Sequence, residues 1–148
     1  MGEAYVAKGD KKAAANILTE YAKIGGRNPE TLKQLASLEQ EAGDNKSAAA
    51  TLESINYIFP MDEDLHRKLC DLLFDLNNPT ADVRECSAVI AMHPLDQASA
   101  QFEVARAYLA AGQQDPARDH VLASLEAAPG YRPAQKLLLQ LEDSQKGK

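Results

Sequence analysis

Apolar residues recur at spacings of three and four along the chain, in stretches of about 12–15 residues separated by short polar turns. This period is typical of amphipathic α-helices that bury one face. The predicted helices lie near 1–8, 11–24, 29–42, 45–58, 62–76, 79–92, 96–111, 115–127 and 131–143. The pattern therefore predicts an all-α chain.

Two series of helix-ending residues divide these helices into repeats. The first series consists of Gly9, Gly43, Asn77 and Gly112, at separations of 34, 34 and 35 residues. The second consists of Pro60, Pro94 and Pro129, at separations of 34 and 35 residues. Glycine and asparagine let a chain leave a helix through a left-handed conformation, and proline prevents a helix from continuing. Both series place one extra residue near Leu95–Gln97, which predicts antiparallel helix pairs with a common period.

The residues at the predicted helix starts agree with this division into repeats. Asparagine or aspartate precedes proline at Asn28, Asn78 and Asp115, which puts a capping acceptor before a proline at the first helical position. Further candidate caps are Asp10, Asp44, Asp62 and Asp96.

Small and apolar residues repeat at fixed distances from the turn residues. Ala14, Ala48, Asp82 and Ala117 each follow a turn residue by five positions, and Leu18, Leu52, Cys86 and Val121 follow by nine. This pattern resembles the tetratricopeptide repeat (TPR), and the best match consists of Ala105, Tyr108, Gly112, Ala117 and Pro129. The sequence departs from the family pattern at Glu39, where an aromatic residue is usual, and at Asp82, where alanine is usual.

The resemblance implies an α-solenoid of antiparallel helix pairs, with about four repeats and a C-terminal capping helix. The predicted single domain spans 1–143, with repeats near 1–28, 29–61, 62–95 and 96–130, a capping helix at 131–143 and a disordered tail at 144–148.

The same resemblance implies a protein-interaction module, not an enzyme, that binds a partner segment in a concave groove lined by the first helix of each pair. The groove positions carried over to this sequence are Lys33, Ser37, Gln40, Arg67, Asp71, Phe74, Phe102 and Arg106. Phe74 and Phe102 have a second interpretation, in which both rings are packed between neighbouring helices.

The side chains at these positions argue against one ligand of the family, the acidic carboxyl terminus of chaperones. That ligand is held by lysine, asparagine and arginine, but Ser37 and Asp71 stand at the asparagine positions. The mixed charges favour a partner segment with charged and apolar anchors.

The first repeat lacks the front of its first helix, because only Met1–Lys8 precede Gly9. Either the chain is a fragment of a longer protein, or it self-associates through the uncovered N-terminal face. The first case leaves an alternative function, in which these repeats are an accessory or regulatory region of a longer enzyme. A cytoplasmic location is expected, and an exported parent protein stays open.

The composition and the absence of known motifs argue against nucleic-acid binding, membrane binding and catalysis. The net charge of −6 and pI near 5.0 argue against nucleic acid and anionic membranes as partners. No catalytic motif or phosphate-binding loop is found, so no catalytic residue and no cofactor are expected.

The two cysteines, Cys70 and Cys86, are expected to be reduced and buried. They lie on paired helices, which allows proximity, but a native disulfide is not expected. Asp62, His66 and Cys70 have the spacing of metal ligands along one helix face, yet two of these positions are packing positions of the repeat. No metal site is therefore predicted.

Overall fold

This computed structural model describes residues 10–146, with side chains as far as Ser144. Over that range the chain forms helices and no strands. The helices are α1 (Lys11–Lys23), α2 (Pro29–Glu41), α3 (Asn45–Ile58), α4 (Glu63–Asp75), α5 (Pro79–Ala91), α6 (Gln97–Ala110), α7 (Gln114–Ala127) and α8 (Arg132–Lys146).

Each of these helices begins within one residue of its predicted start. Gly43, Asn77 and Gly112 have the predicted left-handed backbone, with φ of 80°, 53° and 74°. The predicted helix over 1–8 and the turn at Gly9 lie outside the described residues. At the other end α8 continues beyond the predicted end at 143, through the start of the predicted tail.

Most predicted caps are confirmed by hydrogen bonds. The side chains of Asp10, Asn28, Asp44 and Asp96 each accept a backbone N–H from the first turn of the following helix. Asn78 precedes α5 without a capping hydrogen bond from its side chain.

The predicted cap at Asp115 is wrong, because α7 begins at Gln114 and its N-cap is Gln113. Pro116 then lies inside the first turn. It is tolerated there because backbone N–H groups of the first turn have no intrahelical acceptor.

The described chain forms two compact units, one up to Asp62 and one from Glu63. In the first unit α2 packs against α1 and α3; in the second, each helix from α4 to α8 packs against the next, and α4 also contacts α6. Whether the chain behaves as the predicted single domain stays a prediction. Among the described helices, none combines the length and apolar character needed to span a membrane.

The positions assigned to packing by the repeat pattern are buried. These residues are Ala14, Leu18, Ala48, Leu52, Asp82, Cys86, Ala117 and Val121, each no more than 4% exposed. Alanine at this position allows close approach of two helix backbones, and the larger residue one turn later fills the space beside it. Asp82 is the one acidic side chain among these eight residues, and it is buried like the other seven.

Candidate functional site

Four of the predicted groove residues come together in the second unit, on α4 and α6. The guanidinium of Arg106 lies 3.8 Å from the centre of the Phe74 ring, an arrangement typical of cation–π contact. Arg106 Nη2 is also 3.7 Å from Asp71 Oδ1 and pairs with Glu103 on its own helix. We refer to Arg67, Asp71, Phe74, Glu103 and Arg106 as the α4–α6 surface.

The arginines of this surface already have carboxylate partners within the chain. Arg67 Nε donates to Glu63 Oε1 at 2.9 Å, one turn earlier on α4. Together α4 and α6 carry five carboxylates and three Lys or Arg side chains. The Asp71 side chain is 71% exposed, whereas that of Arg106 is 30% exposed. The most exposed charge of the α4–α6 surface is therefore the Asp71 carboxylate.

A cavity of about 140 Å³ opens beside this surface, between α4, α5 and α6. Its lining residues are Arg67, Cys70, Asp71, Cys86, Val89, Ser99, Ala100 and Glu103. A water molecule occupies about 30 Å³ of liquid volume, so the cavity is large enough for several waters or a small side chain.

Cys70 and Cys86 form a disulfide across α4 and α5, with their Cα atoms 5.1 Å apart. The expectation of reduced thiols is therefore wrong. The packing assignment itself is right, because the two residues are only 3% and 1% exposed. The same proximity of packing positions on paired helices brings the sulfurs within bonding distance. Disulfides are typical of oxidising compartments, and the cytoplasmic location stays a prediction.

Asp82 is the buried carboxyl that sequence reasoning did not connect with the site. It is 1% exposed, and its Oδ1 lies 3.0 Å from Cys86 Sγ, one turn later on α5. The pKa of Asp82 is raised to about 6, mainly by burial; Arg106 opposes this shift, and the carboxylates of Glu103 and Asp71 contribute to it. Burial likewise raises the pKa of Glu103, with Arg106 acting in the opposite direction. The signal in the sequence was the aspartate at a position that holds alanine in other repeats.

Phe102 lies apart from the α4–α6 surface. Its ring packs edge-on against Tyr131, with 5.8 Å between the ring centres, and against the core formed by α6, α7 and α8. It is half-buried, in agreement with the packing interpretation for this ring. Its role in partner binding stays a prediction.

Lys33, Ser37 and Gln40 lie on α2 in the first unit. Lys33 Nζ is 2.6 Å from Asp62 Oδ2, and this hydrogen bond is the main reason that the pKa of Lys33 is raised. Ser37 is exposed and its hydroxyl donates to the Lys33 carbonyl, while Gln40 is exposed. The assignment of these three residues to a binding groove stays a prediction.

His66 does not share a metal-ligand arrangement with Asp62 among the described groups. It is buried, and its Nδ1 lies 2.6 Å from Glu85 Oε2 on α5. Arg84 Nε donates to the other oxygen of Glu85 at 2.6 Å. His66 and Glu85 thus form a buried polar contact between paired helices.

Two other groups place three potential metal ligands within 4.8 Å of one another: Cys70 with Asp82 and Cys86, and Cys70 with Asp71 and Glu103. Thiolate sulfur is the form that binds metals, and the disulfide removes it from both groups. In the oxidised state both groups therefore lack the thiolate ligands that would give them affinity for zinc.

No family model matches the sequence, and none of the curated proteins matches it. Solved structures do match. A crystal structure of MamA is 19% identical with a TM-score of 0.80, and the alignment covers 99% of this chain and 85% of MamA. YrrB, described as a TPR protein with an unusual peptide-binding site, is 17% identical with a TM-score of 0.72, covering 92% of this chain and 70% of YrrB.

The first TPR of Spaghetti (RPAP3), bound to the HSP90 peptide SRMEEVD, is 16% identical with a TM-score of 0.68. That alignment covers 80% of this chain and 93% of the other. This chain has the tetratricopeptide-repeat fold. The predicted fold class, all-α with TPR helix repeats, is thereby confirmed, and similarity at this level of identity establishes the fold alone.

Proposed function

We propose that this TPR chain holds a segment of a partner protein on the α4–α6 surface and catalyses no reaction itself. The observation that carries the proposal is the arrangement around Arg106, whose guanidinium lies over the Phe74 ring and between two carboxylates. Aromatic rings and arginines are the side chains most often found at the centres of protein interfaces. The adjacent cavity gives an anchoring side chain a place to enter.

The charges of this surface favour a segment that carries lysine or arginine beside an apolar residue. Asp71 and Asp75 are exposed and close to Phe74 along the same helix, so they suit a cation next to an apolar anchor. An acidic peptide such as SRMEEVD, bound by Spaghetti, would instead meet arginines that are already paired within the chain. Two proteins of the same fold support a general role in peptide binding, because YrrB has a peptide-binding site and the first TPR of Spaghetti binds an HSP90 peptide.

The experiment starts from peptides selected on the wild-type protein from a random display library. Affinities of the selected peptides are then measured by fluorescence anisotropy for Phe74→Ala and Asp71→Arg. We expect each variant to weaken binding about tenfold or more, because an aromatic anchor or a facing charge is lost. Selected sequences should be enriched in lysine or arginine beside an apolar residue.

Asp143→Arg is the matched control, since Asp143 is an exposed carboxylate on α8 outside the α4–α6 surface. It makes the same charge change and should leave the affinity within about twofold of wild type. Wild-type affinity in both Phe74→Ala and Asp71→Arg would show that peptides bind elsewhere.

A further inference from the structure

We propose that Cys70 and Cys86 form a thiol–disulfide exchange site that a small dithiol reduces in the folded protein, with the Asp82 carboxyl giving its proton to the departing Cys86 sulfur. This inference does not depend on partner binding. It rests on the position of the disulfide, the cavity beside it and the carboxyl group in contact with it.

The helix pair α4–α5 has the packing to remain folded without the disulfide. The positions equivalent to Cys70 and Cys86 in other repeats hold alanine and a branched apolar residue, at Ala105 and Val121 for example. The α6–α7 pair thus packs without a disulfide at these positions, and α4 buries Leu65, Leu69, Leu72 and Leu73 as well. Reduction of the disulfide is therefore expected to leave the repeat intact.

Cys70 and Cys86 line a cavity that has room for a small molecule and not for a folded protein. Cys70 and Cys86 are only 3% and 1% exposed, which excludes the close approach of a large reductant. Both residues nevertheless line the cavity of about 140 Å³ beside the α4–α6 surface. The matching reductant is a small dithiol, whose CH₂–SH group fits this volume.

Asp82 has a role in the reduced state that it lacks in the oxidised state. Its Oδ1 lies 3.0 Å from Cys86 Sγ, but a sulfur in a disulfide carries no proton to donate. After reduction, the Cys86 thiol can donate to this oxygen, and the buried carboxylate gains a hydrogen bond. Other repeats hold alanine at the position of Asp82, so packing does not require a carboxyl group here.

The exchange is balanced in two steps. A thiolate of the dithiol attacks Cys70 Sγ, the S–S bond breaks with its electron pair passing to Cys86 Sγ, and that sulfur takes the proton of Asp82. The second thiolate then attacks the reductant's sulfur in the mixed disulfide. This closes the oxidised reductant into a ring and releases the Cys70 thiolate. Cys70 and Asp82 each take a proton from solvent, which balances the two protons that the dithiol released to solvent on forming its thiolates. The net change is the transfer of two electrons and two protons from the dithiol to the cysteine pair.

The assay treats the native oxidised protein with dithiothreitol, traps free thiols by alkylation at successive times and counts them by mass spectrometry. We expect two thiols to appear in the absence of denaturant, with the helical circular dichroism unchanged. At about pH 5.5, Asp82→Asn and Asp82→Ala should react at least about tenfold more slowly than wild type, because each removes the proton donor. Ala is the residue that other repeats carry here, so Asp82→Ala is the variant expected to preserve the fold.

The pH profile separates proton donation from a merely structural effect. Above about pH 6 the Asp82 carboxyl loses its proton, so the advantage of wild type should shrink and vanish near pH 8. The charged groups that shift this titration are Asp71 on α4 and Glu103 and Arg106 on α6. Asp143→Asn is the control: it removes an exposed carboxylate on α8 outside the cavity, leaves Asp82 in place, and should react within about twofold of wild type.

Two results would overturn the proposal. Reduction that occurs only in denaturant would make the disulfide a structural cross-link. A ratio of wild-type to Asp82→Ala rates that is constant with pH, or an equal slowing by Asp143→Asn, would remove Asp82 as the proton donor.

Discussion

Replacing Asp82 by alanine should stabilise the oxidised protein at neutral pH, although most core substitutions destabilise. Asp82 is 1% exposed at a position where Ala14, Ala48 and Ala117 pack in other repeats. Its carboxyl is desolvated, and this cost exceeds the opposing effect of Arg106, while the carboxylates of Glu103 and Asp71 add to it. The substitution removes this cost and introduces a residue that the repeat already accommodates.

The magnitude follows from the shift in pKa. The pKa of Asp82 rises from 3.8 to about 6 on folding, so the folded state binds its proton more tightly than the unfolded state. Stability from this group is therefore greatest below the unfolded pKa and falls as the pH rises towards the folded pKa. One pKa unit corresponds to about 1.4 kcal/mol, so Asp82 should cost about 2 kcal/mol more at pH 7.5 than at pH 4.

The assay is urea unfolding of wild type and Asp82→Ala without reductant, at about pH 4 and about pH 7.5. The difference in free energy of unfolding, variant minus wild type, should increase by about 2 kcal/mol from pH 4 to pH 7.5. The pH difference is the useful quantity, because any void left by the shorter side chain contributes equally at both values. Asp143→Ala, which removes an exposed carboxylate, should change stability by less than about 0.5 kcal/mol at both.

A pH-independent difference between Asp82→Ala and wild type would refute this reasoning. The reasoning would also be refuted if the stability of the variant, measured relative to wild type, were lower at pH 7.5 than at pH 4. Either result would mean that the folded protein solvates or pairs the Asp82 carboxylate as well as water does.

Three further predictions concern individual contacts. The double variant Cys70→Ala with Cys86→Val lacks the disulfide, which restricts the unfolded chain across a separation of 16 residues. Its free energy of unfolding in urea should be about 3 kcal/mol lower than that of the oxidised protein. An equal free energy of unfolding would contradict this. Ser124→Ala should lose about 1–2 kcal/mol in the same assay, since the fully buried Ser124 hydroxyl donates to the Ala98 carbonyl of α6 at 2.6 Å; an unchanged midpoint would contradict it. His93→Gly should raise the midpoint of thermal unfolding, because His93 has a left-handed backbone with φ of 56°, which glycine adopts without strain. The expected gain in the free energy of unfolding is about 0.5–1 kcal/mol. A lower midpoint would show that the imidazole makes a compensating contact.

The helices and their phase could be predicted closely because their ends have local causes. Gly43 and Gly112 adopt a backbone that favours glycine, and Asp44 and Asp96 accept hydrogen bonds from residues three positions ahead. Such signals depend on neighbours in the sequence. The start of α7 was misplaced because a proline fits more than one position in the first turn.

The candidate site was predicted only in part because its chemistry depends on distances between helices. Phe74 and Arg106 were identified from the positions that the TPR resemblance assigns to the groove, but their stacking across α4 and α6 depends on side-chain conformations. The disulfide was missed because sequence separation alone does not set the distance between Cys70 and Cys86. In retrospect, their places at facing packing positions of one repeat were the available signal.

The central claim is that a partner segment lies against the α4–α6 surface. The most direct measurement is amide chemical-shift mapping by nuclear magnetic resonance, as a peptide selected on the wild-type protein is titrated into the labelled chain. We expect the largest shifts at Arg67–Asp75 of α4 and Glu103–Ala107 of α6, with smaller changes along α7. Shifts concentrated on α7 or α8, with α4 and α6 unchanged, would contradict it.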